Sequence, residues 1–189
     1  MRPVLNGIYR FGGVAAAFFI LAICAVVIAQ VLLNLADKIY GVFFDTAIGL
    51  TIPSYADFTG FFLAAASFLA LAYTLREGGH IRVSLLLQAL PLKAQHFFEI
   101  WCLVFVGSIT LYLTYYTGSL VHESWSYGDM SSGMVAVPIW IPQSSIFLGL
   151  AILSIALLDE LFCVLTGHKA SYEGKGENLL GDTEEGGSS

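Results

Sequence analysis

The chain has 189 residues, of which 57% are hydrophobic and only 12% are charged. A soluble domain is about 25% charged, so this composition excludes a typical soluble protein and indicates an integral membrane protein. Half of the net charge of -6 comes from the C-terminal segment 168–189, and the rest of the chain is close to balanced, which excludes a basic nucleic-acid-binding surface.

The first long apolar run extends from Val14 to Leu33 and contains one clearly polar residue, Gln30. A helix rises about 1.5 Å per residue, so this run is long enough to cross the roughly 30 Å hydrocarbon core of a bilayer. The apolar core of a cleaved signal peptide has only about 7 to 15 residues and is followed by a small-residue cleavage site. The pattern therefore predicts a retained first span over residues 14–33.

The segment from Asn34 to Asp57 mixes charged, aromatic and apolar residues. It is too polar to cross a membrane and too apolar for a free loop, and aromatic residues beside charges are typical of the membrane interface. We expect this segment to lie along the outer membrane surface, in part as helix, or to form an interface with another protein.

The second predicted span covers residues 58–75 and is rich in small side chains. Its small residues include two pairs with helical spacing, Gly60 with Ala64 and Ala66 with Ala70. Pairs of this kind let helix backbones approach closely in lipid. We therefore expect this span to be the most enclosed of the chain.

A polar elbow with two glycines follows the second span. It begins at Arg76 and continues through Gly78, Gly79, His80 and Arg82. The glycines allow a sharp turn, and the apolar segment that follows is too short to cross a bilayer. The sequence predicts a short amphipathic helix over about 81–90 on the cytoplasmic surface, followed by Pro91, which suits the start of the next helix.

Two further spans are predicted over residues 97–120 and 141–165. The loop between them contains no Lys or Arg, and aromatic residues cluster at its ends as in the belts of membrane proteins. Residues 1–167 form one predicted membrane domain. Residues 168–189 are rich in Gly, Ser and Glu and are predicted to be a disordered cytoplasmic tail.

The distribution of Lys and Arg predicts the orientation. Two precede the first span, one lies in the first loop, three in the second, none in the third and two in the tail. Cytoplasmic segments carry the excess of positive charge, so both termini are predicted to face the cytoplasm. The predicted fold class is an all-α integral membrane protein with four transmembrane helices.

The ionisable residues give no catalytic or cofactor site. Four histidines invite a two-histidine haem site, but none is in the middle of a span. They are His80, His96, His122 and His168. No nucleophile with a base, phosphate-binding glycine loop or metal-ligand spacing is present, so we expect no cofactor, no metal and no enzymatic activity.

Three acidic residues lie near the predicted cytoplasmic ends of the spans, at the depth of Arg76, Arg82 and Lys93. They are Glu99, Asp159 and Glu160. A carrier that couples protons to a substrate needs an ionisable residue deep in a span. Carboxylates and guanidinium groups at one depth instead favour paired structural anchors.

The elbow resembles a signature of the DctQ-like small membrane subunits of tripartite ATP-independent periplasmic (TRAP) transporters. That signature is Arg-x-Gly-x-His-apolar-x-Val, followed by a short helix ending in Leu-Pro. In this chain it comprises Arg76, Gly78, His80, Ile81 and Val83, then Leu90 and Pro91. The run from Val137 to Pro142 also resembles the family's entry into the fourth span. Family members often carry an acidic residue where this chain has Ser84, so no salt bridge is assumed there.

The resemblance implies a multi-pass subunit of the bacterial inner membrane without a substrate site of its own. Its implied partners are a large multi-span permease subunit and a periplasmic solute-binding protein, in uptake of a solute, often a carboxylate, driven by a sodium gradient. The chain then braces the large subunit, and the elbow, with Arg76, His80 and Arg82 as anchors, fixes its depth among the membrane lipids. Two alternatives remain at this point, a membrane anchor of an oxidoreductase and an autonomous four-helix carrier.

Overall fold

The computed structural model describes residues 2–44, 48–76 and 92–166, with side chains described from residue 5 and from residue 97 in the first and last ranges. These residues form four helices: α1 (Arg2–Phe44), α2 (Tyr55–Arg76), α3 (Leu92–Tyr127) and α4 (Trp140–Leu165). Each is long and apolar enough to cross a membrane. The prediction of an all-α protein with four spanning helices is confirmed, and the described ranges contain no strand beyond one isolated bridge.

The four helices differ in length more than the apolar runs of the sequence do. With 22 and 26 residues, α2 and α4 are about 33 and 39 Å long, close to the thickness of a bilayer. With 43 and 36 residues, α1 and α3 are about 64 and 54 Å long. The predicted spans lie inside these helices, and α1 and α3 continue beyond them.

The first part of the segment predicted to lie along the membrane surface, residues 34–44, is instead a continuation of α1, which runs unbroken to Phe44. Polar residues such as Asn34 and Lys38 do not interrupt a helix that is already formed, because each further residue adds a backbone hydrogen bond. Residues 48–54 then return along α1 to the start of α2. The prediction that this segment is partly helical is confirmed, but its helical part continues along the axis of α1.

The helices are neighbours in the order α1, α2, α4, α3. The pairs α1–α2 and α3–α4 are antiparallel hairpins, and α2 packs on α4 to join them. The helix α1 reaches α4 only in a smaller contact, where Tyr9 packs with Ala72 and Ala156. Two helices therefore lie in the middle of the bundle and two at its edges.

The closest approach between the hairpins is at Gly149 of α4. A Cβ atom at this position would lie 2.5 Å from the carbonyl carbon and oxygen of Phe68 in α2. The hairpin of α1 and α2 has a similar contact, where a Cβ atom on Gly12 would lie 2.8 Å from the Leu69 carbonyl oxygen. Glycine is required at both positions because no other residue leaves room for the facing backbone.

The most enclosed helix is α4, and the prediction that α2 has this place is wrong. In the most apolar 18-residue window of each helix, 44% of the residues are buried in α4 and 22% in α2. The small residues of α2 suggested burial on all sides, but several of them form an exposed face. Between α2 and α3, α4 is covered along two sides.

Several predicted features lie outside the described residues. They are the elbow residues Gly78, Gly79, His80 and Arg82, then Pro91, the surface helix over 81–90 and the tail over 168–189. These remain predictions from the sequence.

Replacing Gly149 by alanine tests the central contact. We expect Gly149→Ala to lower the free energy of unfolding by about 1–3 kcal/mol, because the added methyl group must push α2 away. Unfolding in mixed detergent micelles, followed by circular dichroism, measures this difference. The control is Gly107→Ala in α3, where a Cβ atom would meet nothing within 4 Å. Equal stability of the two variants would contradict the close approach of α2 and α4.

Candidate functional site

Charged and aromatic groups meet at one end of the bundle, which we call the Arg76 end. Tyr9 of α1 is only 2% exposed, and the guanidinium carbon of Arg76 lies 5.0 Å from the centre of its ring. A cation over an aromatic face at this distance is attracted by the ring electrons. The charges of Asp159 and Glu160 in α4 also act on the Tyr9 hydroxyl. Three helices are thus joined at this end by one aromatic side chain.

The structure describes the side chains of four charged residues predicted to lie at the ends of spans, and it brings three of them together. Arg76 lies over the Tyr9 ring, Asp159 and Glu160 are within electrostatic reach of its hydroxyl, and Glu160 is 4% exposed although it is acidic. Glu99 of α3 is half-buried. The pairing of these charges as anchors stays a prediction. Sequence reasoning missed Tyr9, although Tyr9, Gly12 and Ala16 share one helical face.

The opposite end, which we call the loop end, is held by polar side chains of α1. Gln30 is 4% exposed, and its Nε2 atom donates to Asn34 Oδ1 (2.9 Å) and to Thr51 Oγ1 (3.0 Å). Its Oε1 atom accepts from the Ile52 amide (2.8 Å). The only polar residue of the first predicted span is therefore a satisfied connection between α1 and the first loop.

A second side chain fixes the start of the same loop. Asp37 Oδ1 accepts hydrogen bonds from the amides of Ile48 (2.7 Å) and Gly49 (2.8 Å). A charged acceptor makes stronger bonds than a neutral one. The loop is therefore held along α1, and the last turns of α1 extend past the described residues of the loop.

The two hairpins are also connected at the loop end. The Val135 amide donates to Ser54 Oγ (2.8 Å), and Gly133 lies directly against the side chain of Asp57. The third loop is itself ordered by a bridge between Met130 and Pro138. Trp125 and Trp140, whose ring centres are 4.7 Å apart, close its base. Loops one and three therefore form a single surface.

The tip of α1 leaves large apolar side chains exposed beyond this surface. Val42, Phe43 and Phe44 are 80%, 77% and 63% exposed, and the rings of Tyr40 and Phe44 stack with centres 4.4 Å apart. Exposed apolar side chains this far from the spans are typical of interfaces with another protein or with the membrane surface.

The predicted helix-packing residues of α2 do not all pack within the chain. Ala66 is buried, and Ala64 and Ala70 are half-buried. Gly60 is exposed, and a Cβ atom there would meet nothing within 4 Å. The contacts inside the chain are made by the other side of the helix, with Ala65, Ala66, Leu69 and Ala72.

The exposed face of α2 is therefore a stripe of mostly small residues, which we call the α2 stripe. It comprises Ala56, Gly60, Leu63, Ser67 and Thr74. The exposed face of α4 is different, because its side chains are large and apolar. They include Ile141, Leu148, Ile155 and Phe162.

The membrane-buried parts of the described helices contain hydroxyl groups but no central charge. Thr114 of α3 and Ser154 of α4 form a hydrogen bond of 3.0 Å across the helices, and each hydroxyl also faces a carbonyl one turn earlier. Such bonds satisfy hydroxyl groups in lipid. No group of three or more potential metal ligands occurs among the described residues.

Two substitutions at Tyr9 separate the ring from its hydroxyl. The buried hydroxyl has no hydrogen-bond partner among the described residues, so we expect Tyr9→Phe to leave the free energy of unfolding unchanged or to raise it. Tyr9→Leu removes the ring under Arg76 and is expected to cost about 0.5–2 kcal/mol more than Tyr9→Phe.

A double-mutant cycle with Arg76→Gln checks the origin of this cost. We expect Arg76→Gln to destabilise the chain in the Tyr9 and Tyr9→Phe backgrounds and to have a smaller effect in the Tyr9→Leu background. Unfolding in mixed micelles measures all six proteins. Additive effects of Tyr9→Leu and Arg76→Gln would show that the two side chains do not interact.

Comparison with known proteins agrees with this geometry. Residues 24–167 match the family model described as tripartite ATP-independent periplasmic transporters, DctQ component. The match begins inside α1 and includes α2, α3 and α4, which is most of the chain. No curated protein and no solved structure matches the sequence significantly. The chain is therefore a multi-pass membrane protein that belongs to the DctQ family, the small permease subunits of TRAP transporters.

Proposed function

We propose that this subunit is a static scaffold in the bacterial inner membrane that braces the large multi-span subunit of its transporter. The large subunit then moves the solute, a carboxylate taken from a periplasmic solute-binding protein, and a sodium gradient drives this uptake. The observation that carries the proposal is the absence of any charged residue from the central parts of the four described spans. A site for an anionic solute or a coupling ion needs such groups or unwound backbone inside the membrane.

The α2 stripe is the proposed contact with the large subunit. Helices in lipid associate through small residues, because the surrounding lipid is as apolar as the side chains. The stripe has this composition, and a Cβ atom on Gly60 within it would meet no described residue within 4 Å. The exposed face of α4 has large apolar side chains, which are suited to contact with lipid as well as with protein.

The loop end is the proposed periplasmic side. The third loop contains no Lys or Arg, and the elbow region with Arg76, Arg82 and Lys93 belongs to the opposite end. On this orientation, the joined loops and the apolar tip of α1 face the periplasm. They offer the solute-binding protein an ordered surface beside the large subunit.

Cysteine labelling tests this orientation. In a background without Cys24, Cys102 and Cys163, we expect Ser132→Cys in the third loop to react with a membrane-impermeant maleimide in intact cells. The control, Ser171→Cys in the tail, is expected to react only after lysis. The reverse pattern would invert the proposed topology.

Substitutions on the α2 stripe test the contact with the large subunit. We expect Ser67→Leu combined with Gly60→Leu to reduce co-purification of the large subunit from gently solubilised membranes by about tenfold, a difference of about 1.4 kcal/mol. The physical reason is that the larger side chains prevent close approach of a partner helix. The isolated subunit is expected to keep its stability, since both positions are exposed.

The matched control for the serine substitution is Ser108→Leu, which replaces serine by leucine at an exposed position of α3. Co-purification and solute uptake should be unchanged in this variant. If the α2 stripe variant retains the large subunit as well as the control does, the proposed contact is wrong. Solute uptake by vesicles that contain this chain alone would overturn the scaffold proposal itself.

A further inference from the structure

A cleft opens between α3 and α4 in the half of the bundle nearer the loop end. Its volume is about 390 Å³. It is lined by Thr114, Tyr115, Gly118, Ser119, His122 and Phe147. The Phe147 ring packs directly on Gly118, where a Cβ atom would lie 2.9 Å from it, and this pair forms the floor of the cleft. The cleft is separate from the α2 stripe and from the Arg76 end.

The position of the cleft places it in one leaflet of the bilayer. Trp125 and Trp140 pack against each other just beyond its outer end, and tryptophan favours the boundary between hydrocarbon and headgroups. From His122 back to Thr114 the helix rises about 12 Å, which is close to the roughly 15 Å thickness of one hydrocarbon leaflet. The cleft therefore runs along the direction and over most of the length of an acyl chain.

The chemistry of the lining changes along this direction. The inner part is formed by the rings of Tyr115 and Phe147, and the Thr114 hydroxyl there is already hydrogen-bonded to the Thr110 carbonyl and to Ser154. The outer part presents the Ser119 hydroxyl and the His122 imidazole. An amphipathic ligand with its apolar end pointing into the membrane matches this order.

We propose that this cleft binds one phospholipid of the leaflet at the loop end. One acyl chain lies between Tyr115 and Phe147, and the ester and phosphate oxygens accept hydrogen bonds from Ser119 and His122. The volume is that of a small-molecule site rather than of a helix, which is about 10 Å wide. The lining has no acidic residue to repel a phosphate, and it has no lysine or arginine that would favour a free anion over a lipid.

The first test uses the unmodified protein. The full-length subunit, alone and in its native complex, is placed in vesicles that contain a phosphatidylethanolamine with a photoreactive diazirine near the middle of one acyl chain. After illumination, we expect adducts to concentrate on the peptide that contains Tyr115 and Ser119 in both preparations. Adducts spread evenly over the exposed residues of α3 would overturn the proposal. Loss of these adducts in the complex would show that a protein covers the cleft, which also overturns it.

The second test fills the cleft. The subunit is reconstituted with a deuterium-labelled phosphatidylethanolamine and moved to mild detergent, and the retained lipid is counted by native mass spectrometry. We expect Ser119→Phe to retain about tenfold less lipid than the wild type. His122→Leu, which removes only the polar contact, is expected to lower retention as well.

The control is Ser108→Phe, which lies three helical turns away on the same face of α3 and outside the cleft. This variant should retain lipid like the wild type. Equal retention by Ser119→Phe and Ser108→Phe would contradict the site. This experiment does not require association with the large subunit. A negative result would therefore contradict the lipid site without contradicting the proposed scaffold role.

Discussion

The contact of Gly149 with the backbone of Phe68 is the interaction on which the bundle depends. It is the closest approach in the packing of α2 on α4, which joins the two antiparallel hairpins, and α1 adds only a smaller contact with α4. In lipid there is no hydrophobic force to press helices together, because lipid tails are as apolar as the side chains. Helix association then requires close packing, and a glycine that admits a carbonyl group provides it.

The two ends of the bundle add interactions of charged and amide side chains to this contact, whereas the membrane interior of the described helices has only the hydroxyl pair of Thr114 and Ser154 across its helices. At the loop end, Gln30 and Asp37 hold the first loop along α1, and Ser54 joins that loop to the third. At the Arg76 end, Tyr9 lies between Arg76 and the carboxylates of α4. Charge is thus kept where water or headgroups can solvate it, and the centre of the membrane is left to apolar and hydroxyl side chains.

This division suits a subunit that supports transport without conducting the solute. A structure with tightly packed central helices and joined loops is expected to be rigid, and it leaves two exposed faces of different composition. The small residues of the α2 stripe favour a helix partner, whereas the large residues of α4 and the cleft beside α3 favour lipid. On the proposed scaffold role, such a neighbour would give a moving transport domain of the large subunit a wider, fixed base.

The sequence by itself determined the membrane class, the number of spans and the family, because span length, hydropathy and the Arg76 signature are local properties. It also located charge at the ends of the spans. It did not give the length of α1, because polar residues after Leu33 suggested a surface segment, and only the hydrogen bonds of Gln30 and Asp37 to a returning loop reveal why a straight helix is stable there.

Only the tertiary structure decided which helix is enclosed and which glycines matter. Gly60 and Gly149 look alike in the sequence, yet one is exposed and the other meets the backbone of Phe68. Tyr9 likewise appeared to be an ordinary residue near the N-terminus until α2 and α4 placed Arg76, Asp159 and Glu160 around it. The physical reason is that close packing depends on which faces of different helices meet, and the periodicity of a single apolar helix does not specify its neighbours.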